Sequence, residues 1–181
     1  MDPELVIRAQ HGDGEAFGSL AVACGDRLHA VAHRILRDVD LAEDATQQAL
    51  LAIWQNLPTL RDPARFDAWS YRLLVNACYD EGHRRRVWKP IFVVLPDEAA
   101  APDALRQVDD RDQLERGFRR LSIDHRAVVV LHTYLGLSLE EIADTLGTRP
   151  GTIRSRLHYA VRAMRAALDA DERPVLREVA Q

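Results

Sequence analysis

Apolar side chains recur at helical spacing along almost the whole of this chain, and the recurrence lapses in one long stretch, from Val87 to Asp112. A period near 3.6 lays apolar groups along one face of a helix, whereas a half-buried strand needs strict alternation. No alternating run stands out, so the chain reads as all-α. The lapse is punctuated by Pro90, Pro96 and Pro102 around an apolar patch (Ile91-Phe92-Val93-Val94-Leu95) and an acidic, Ala-rich run, which is linker composition. The expected organisation is two small helical domains, 1–87 and 113–169, joined by a flexible linker at 88–112 and followed by a short acidic tail at 170–181. Fully extended, the linker reaches about 80 Å. As a relaxed coil it averages only about 27 Å between its ends.

In the first domain, Leu5, Val6 and Ala9 mark a short helix broken by Gly12-Asp13-Gly14. A longer one follows from Glu15 to about Leu36, with Gly25 as a point of kink or break. Asp40 and Glu43 read as a capping box opening a helix from Leu41 to Leu57, stopped by Pro58. Asp62-Pro63 reads as cap and first position of a fourth helix, running through Phe66, Trp69, Leu73 and Leu74 towards Arg86.

The net charge of −4 argues against a nucleic-acid partner until the charges are located. Residues 114–168 carry nine basic against five acidic side chains, and the stretch 149–165 holds Arg149, Arg154, Arg156, Arg162 and Arg165 with no acid at all. A second cluster, His83-Arg84-Arg85-Arg86, closes the first domain. Two compact basic sites in an acidic chain point to two places for phosphate rather than a diffuse polycation. No run approaches the roughly 20 apolar residues of a membrane span, and the acidic start is unlike a secretory signal, so the chain reads as cytoplasmic with no membrane segment of its own. Cys24 and Cys78 are too far apart for a CxxC site and read as buried thiols. His29 and His33 stand at i, i+4 but have no HExxH context or cysteine partner, which sets zinc aside. Phosphate-binding loops, nucleophile elbows and paired catalytic carboxylates are missing from the pattern, so neither an enzyme nor a cofactor is expected.

The second domain is the more specific. Ser138 and Glu141 form a capping box, and Leu139, Ile142, Ala143 and Leu146 give the short helix one apolar face. Gly147 ends it, and Pro150 suits the first position of the next helix. A short helix, a Gly-containing turn and a second helix make up the DNA-reading helix-turn-helix. On that second helix Ile153, Leu157, Ala160, Val161, Met164 and Leu168 share the core face, while Arg154, Ser155, His158, Arg162 and Arg165 share the opposite one. A solvated arginine face is the bland alternative; the capped helix and tight turn ahead of it favour base and phosphate contacts.

Leu137-Ser138-Leu139-Glu140-Glu141-Ile142-Ala143-Asp144-Thr145-Leu146-Gly147, followed by Gly151-Thr152-Ile153-Arg154-Ser155-Arg156-Leu157-His158, resembles the promoter-reading C-terminal domain of sigma-70-type RNA polymerase initiation factors, most closely the short extracytoplasmic-function (ECF) class. The N-terminal half agrees. Ala42-Glu43-Asp44-Ala45-Thr46-Gln47-Gln48-Ala49-Leu50-Leu51-Ala52-Ile53-Trp54 resembles the class's polymerase-clamp-binding helix, and Phe66-Asp67-Ala68-Trp69-Ser70-Tyr71-Arg72-Leu73-Leu74-Val75-Asn76 resembles the helix that opens and reads the −10 element. The resemblance implies a sigma-2-like and a sigma-4-like domain that bind core RNA polymerase at its clamp and flap and read promoter DNA, with an anti-sigma factor as a further partner. It places −35 contacts at Arg149, Thr152, Arg154, Ser155, Arg156, His158 and Arg162. It places −10 contacts at Arg61, Arg65, Phe66, Trp69, Tyr71, Arg72, Asn76, Asp80, Arg84, Arg85 and Arg86, and polymerase contacts at Asp44, Gln47, Gln48 and Leu51. For Phe66 and Trp69, at i, i+3, a core role competes with base stacking.

The chain departs from the class pattern in places. Gln48 stands where the clamp helix usually carries an acid, and Leu50 where it carries an aromatic. Gly82 costs a helix about 1 kcal/mol relative to Ala, which predicts fraying ahead of the arginines. Arg149 replaces the usual small capping residue. The reading from another functional class is a stand-alone helix-turn-helix regulator, which predicts a two-fold-symmetric DNA site and no association with polymerase.

Overall fold

The computed structural model describes residues 1–88 and 115–171, with side chains described for 1–84 and 115–167. Among the described residues eight α-helices form and there is no strand. They are α1 (Pro3–Gln10), α2 (Gly14–Leu36), α3 (Val39–Asn56), α4 (Phe66–Trp88), a helical stretch at 115–119 (α5), α6 (Ile123–Thr133), α7 (Leu139–Leu146) and α8 (Pro150–Asp171). Two short 3-10 turns, Leu57–Thr59 and Pro63–Arg65, join α3 to α4. The linker that the sequence suggests at 88–112 and the tail from residue 172 onwards lie outside the described residues.

Short polar side chains start the helices. Asp2, Asp13, Asp38, Ser122 and Ser138 each accept from a backbone N–H of the first turn, supplying a partner that the helix itself cannot. Ser138 and Glu141 close the expected capping box, and Gly147 ends α7 at φ +61°. The third helix begins earlier than the sequence suggests. Asp38 caps it by accepting from Leu41 N, which puts Asp40 in the first turn, and Pro58 sits in a 3-10 turn beyond its end. Pro63 likewise starts a 3-10 turn capped by Asp62, and α4 begins at Phe66.

Two glycines behave differently from expectation. α2 passes through Gly25 without a break, because Leu20, Cys24, Leu28, Val31 and Ile35 are fully buried on either side of it. That packing outweighs the cost of a single glycine of about 1 kcal/mol. α4 does not fray at Gly82 but continues to Trp88. Gly82 is buried where α4 approaches α6, and a Cβ there would press on Ile123 Cδ1, the end of a side chain that would have to turn aside.

That approach belongs to a wider union. The two helical units share one apolar core in which Leu28, Ile35, Leu74 and Val75 join Val128, Leu131, Ile142 and Ile153. α6 packs on α2 and α4, and α7 packs on α4. Polar contacts reinforce the seam: Arg37 pairs with Glu115, Arg126 donates to the Leu36 carbonyl at 3.4 Å, and the Arg34 guanidinium lies 3.8 Å from the Tyr134 ring centroid. Arg37 ends α2 in the left-handed region at φ +59°, and its paired guanidinium helps to hold that conformation. Tyr79 is half-buried near Asp124, and burial first, then that carboxylate, pushes its hydroxyl up to about 12. No helix among the described residues is long and apolar enough to cross a membrane.

Candidate nucleic-acid interface

The amphipathic split of α8 follows the sequence except at Val161, expected on the core face but 38% exposed at its margin. Ile153 and Ala160 are fully buried, while Arg154, Ser155, His158 and Arg162 are exposed on the other side. Thr152 is half-buried, Ser155 Oγ donates back to its carbonyl at 2.9 Å, and Arg149 is exposed at the helix start. Helix N-termini carry partial positive charge and free N–H groups, so Arg149 adds to a place already suited to phosphate. Arg156 does not belong to this surface. It is turned to Asp124 of α6 at 2.9 Å and ties the second helix of the motif to its neighbour, because its position lies some 200° around the helix from Arg154.

The second basic region is built on a loop and a helix. Gln10 Nε2 donates to the carbonyls of Leu57 and Leu60, at 3.0 and 2.7 Å, and so fixes the path of the loop before α4. Beyond it Arg65, at the end of the 3-10 turn, and Trp69, Arg72, Asn76 and Asp80 of α4 follow one another at helical spacing, all at least partly open to solvent. Phe66 and Tyr71 do not join them. Phe66 is 0% exposed and Tyr71 5%, so both rings are packed beneath the stripe and offer no face on which a base could stack. Arg84 is exposed and paired with the buried Glu81 at 2.7 Å; the side chains of Arg85 and Arg86 lie outside the described residues. Leu60, Arg61, Asp62, Arg65, Trp69 and Arg72 line a cleft of about 280 Å³ that Asp144 and Thr145 of α7 also border.

Asp67 anchors the start of this helix by accepting from the Met1 ammonium at 2.8 Å and pairing with Arg27. Burial alone would raise its carboxyl, but the ammonium and Arg27 outweigh it and hold the group below the usual carboxylate range. Its stabilising contribution is therefore complete above about pH 4 and lost as pH falls through the depressed value. Asp67→Asn should flatten that acid limb, with urea midpoints that fall less steeply below about pH 4 than those of the parent protein.

A third surface lies on α3. Asp44, Gln47 and Leu51 are exposed on one face, but Gln48 is half-buried and donates to Glu81 of α4. Beside Leu51, and unmarked as a site by the sequence pattern, runs an apolar groove of about 440 Å³ between α2 and α3, lined by Phe17, Ala21, Leu50, Leu51 and Trp54. Phe17 and Trp54 meet edge to face at 4.6 Å. The sequence pattern gave no separate signal for it, since Phe17 shares the helical phase of Leu20, Cys24 and Leu28 and reads as core. Cys24 and Cys78 are both buried, and burial pushes the Cys78 thiol up to about 12. His29 and His33 stack at 6.4 Å, and no group of three possible metal ligands occurs among the described residues.

Residues 20–89 match the family described as Sigma-70 region 2, and residues 111–164 match Sigma-70, region 4. The chain is 36% identical over 165 residues to the ECF RNA polymerase sigma factor SigL of Mycobacterium tuberculosis, covering 87% of this chain and 93% of that one. It is 29% identical to the RNA polymerase sigma-H factor of Pseudomonas aeruginosa across 98% of this chain and 96% of the relative. Among solved structures, CnrH in complex with the cytosolic domain of CnrY is 26% identical at a TM-score of 0.64, covering 94% of this chain and 98% of that one. The sigma factor RpoE in complex with the anti-sigma factor NepR from Bartonella quintana is 26% identical at 0.65, covering 86% and 98%. With both regions matched in order on an all-α scaffold, the chain belongs to the ECF class of the sigma-70 family of RNA polymerase sigma factors.

Proposed function

We propose that the chain binds core RNA polymerase through the exposed face of α3, reads the −35 element with α8 and captures the −10 element on the loop and outer stripe of α4. The observation that carries this reading is the acid-free face of α8, where Arg154, Ser155, His158 and Arg162 stand clear of the protein on a helix aimed by the capped α7 and the Gly147 turn. Arginine can bind a guanine edge through two hydrogen bonds, and the flanking donors suit phosphates. On α4, Trp69 is the ring left partly open for a captured base, with Arg61, Arg65 and Arg72 around it for the strand backbone. Arg156, Phe66 and Tyr71 drop out of the contact set for the reasons of geometry given above.

The polymerase holds the two readers at a fixed separation. The stretch of chain between the readers has a contour that spans more than two duplex turns of about 34 Å each, enough to let them serve both elements at once. Joining two weak grips then raises effective concentration without new contacts. Run-off transcription with core polymerase over a panel of promoters is the direct test: addition of the protein should concentrate initiation at a small subset. Initiation no more selective than by core enzyme alone would refute the reading.

An anti-sigma factor is the expected keeper of the free protein. Of the solved relatives named above, RpoE was captured with the anti-sigma factor NepR and CnrH with the cytosolic domain of CnrY. The α2–α3 groove, apolar and adjoining the α3 face, is a fitting seat, since exposed apolar patches of this kind mark interaction sites. Leu51, 56% exposed, stands at the edge of both surfaces. Leu51→Ala should weaken binding to core polymerase by about fivefold or more, the range of an interface anchor. Duplex −35 binding by α8 should be unchanged, and fluorescence anisotropy with labelled protein and labelled duplex separates the two.

A further inference from the structure

The C-terminal ends of α2 and α6, with α5 beside them, border a cavity of about 660 Å³, and none of its lining residues belongs to α3, α4 or α8. That volume lies within the range of about 300–1,000 Å³ that holds small organic ligands. Cations dominate the wall. His33, Arg34 and Arg37 line it, Arg119 stands close to Arg37, and Glu115 is the one carboxylate among the described lining residues. Glu115 already pairs with Arg37 and lies 3.7 Å from Arg119. Arg34 has no carboxylate partner among the described residues; it donates to the Ala30 carbonyl at 2.9 Å and stacks on the Tyr134 ring. The Nε of Arg37 is buried with no hydrogen-bond partner among the described residues, and Asp38, the next acid along, is engaged as the cap of α3.

Basic side chains at a helix C-terminus ordinarily answer the carbonyl partial charge there. In this cavity the carbonyls have partners of their own. The Arg37 N–H donates to the His33 carbonyl at 2.8 Å and Arg126 to that of Leu36 at 3.4 Å. On α6 the Tyr134 N–H donates to the Val130 carbonyl at 2.9 Å, and Thr133 Oγ1 to that of Val129 at 2.7 Å. Three guanidiniums against one carboxylate leave a surplus of two positive charges. Two groups register it. Burial first, then Arg37, His29 and Arg34, hold the His33 imidazole below its usual value, and burial, Arg119 and Arg34 lower Arg37.

We propose that this cavity binds a small phosphate monoester, with the phosphoryl head between Arg34 and Arg37, His33 as a further donor, and the organic body along Phe118 and Val130. The charge matches, since such a group carries about −1.5 to −2 at pH 7. The shape of the donors matches too, because a planar guanidinium meets two phosphate oxygens at once. The apolar wall and the volume leave room for more than the head alone. This site is independent of the DNA contacts assigned above. A ligand that is held only when α2 stands beside α5 and α6 binds the folded chain and not the unfolded one, so it also raises the stability of the whole protein.

Isothermal titration of the full chain with phenyl phosphate, and separately with inorganic phosphate, tests the site. The parent should bind phenyl phosphate saturably and several-fold more tightly than inorganic phosphate, and its melting temperature should rise with phenyl phosphate concentration. Thr133→Glu puts a carboxylate on the exposed rim of the cavity, and Arg34→Gln keeps a donor while removing the charge. Each should weaken phenyl phosphate binding by about tenfold or more, the scale of a lost charge-assisted hydrogen bond. Arg34→Lys, which keeps the charge, should retain most of the affinity. Inorganic phosphate bound as tightly as phenyl phosphate would overturn the ester as the ligand. Binding untouched by Thr133→Glu and Arg34→Gln, binding lost on Arg154→Ala instead, or no binding by the parent would each overturn the site.

Discussion

Arg154→Ala is expected to lower initiation at a cognate promoter by about fivefold to a hundredfold, with assembly onto core polymerase unchanged. The range follows from the roughly 1–3 kcal/mol of discrimination that a two-pronged arginine contact to a base provides. Arg154 is exposed, and α8 is held by residues on its opposite face, Ile153 and Ala160 being fully buried, so the substitution removes a contact without disturbing the helix. Its neighbour gives the contrast. Arg156→Ala would break the pair with Asp124 and loosen α8 on α6, lowering stability while leaving the preferred −35 sequence as it was. Comparing initiation rates on promoters with each −35 position varied separates the two. If Arg154→Ala and Arg156→Ala had the same effect on base preference, the division of α8 into a reading face and a packing face would be wrong.

Phe66→Ala should destabilise the fold by about 3–5 kcal/mol, the usual cost of emptying a buried aromatic site. For a domain with a total stability of about 5–15 kcal/mol this is a large share. Phe66 is 0% exposed and opens α4, so its ring fixes the entry angle of the helix whose outer stripe carries Trp69 and Arg72. Promoter opening should fall along with stability, and a denaturant midpoint lowered in step with activity would identify the loss as structural. A variant with parental stability and defective opening would return Phe66 to the base-stacking role that its motif suggests. Trp69, half-buried and lining the cleft, has the opposite expectation: opening is lost with little change in the midpoint.

Much of this architecture was legible in the residues. The Ser138–Glu141 box, the Gly147 stop and the Pro150 start are local signals, set by hydrogen bonds and dihedrals within one turn of chain, and each appears where the pattern placed it. Helix phase was legible for the same reason: 100° per residue separates Ile153 from Arg154 whatever lies nearby. The motif resemblance was weaker for individual side chains. It grouped Arg156 with the DNA contacts and Tyr71 with the strand platform, yet a motif records residue types in order and not which of them a neighbouring helix has already engaged. Asp124 engages the first, and the core encloses the second.

The sequence by itself determined that this chain is helical, that it divides at the Pro-rich stretch, and that its two basic clusters sit on separate helices. These follow from short-range periodicity and composition, which no distant contact can alter. Only the tertiary structure decided that the two units share a core, that Gly82 lies against Ile123, and that Asp144 faces Arg65. Those pairings join residues tens of positions apart. What selects them is the burial of apolar surface that each helix leaves uncovered on its own, a property of shapes in three dimensions that the order of residues does not display.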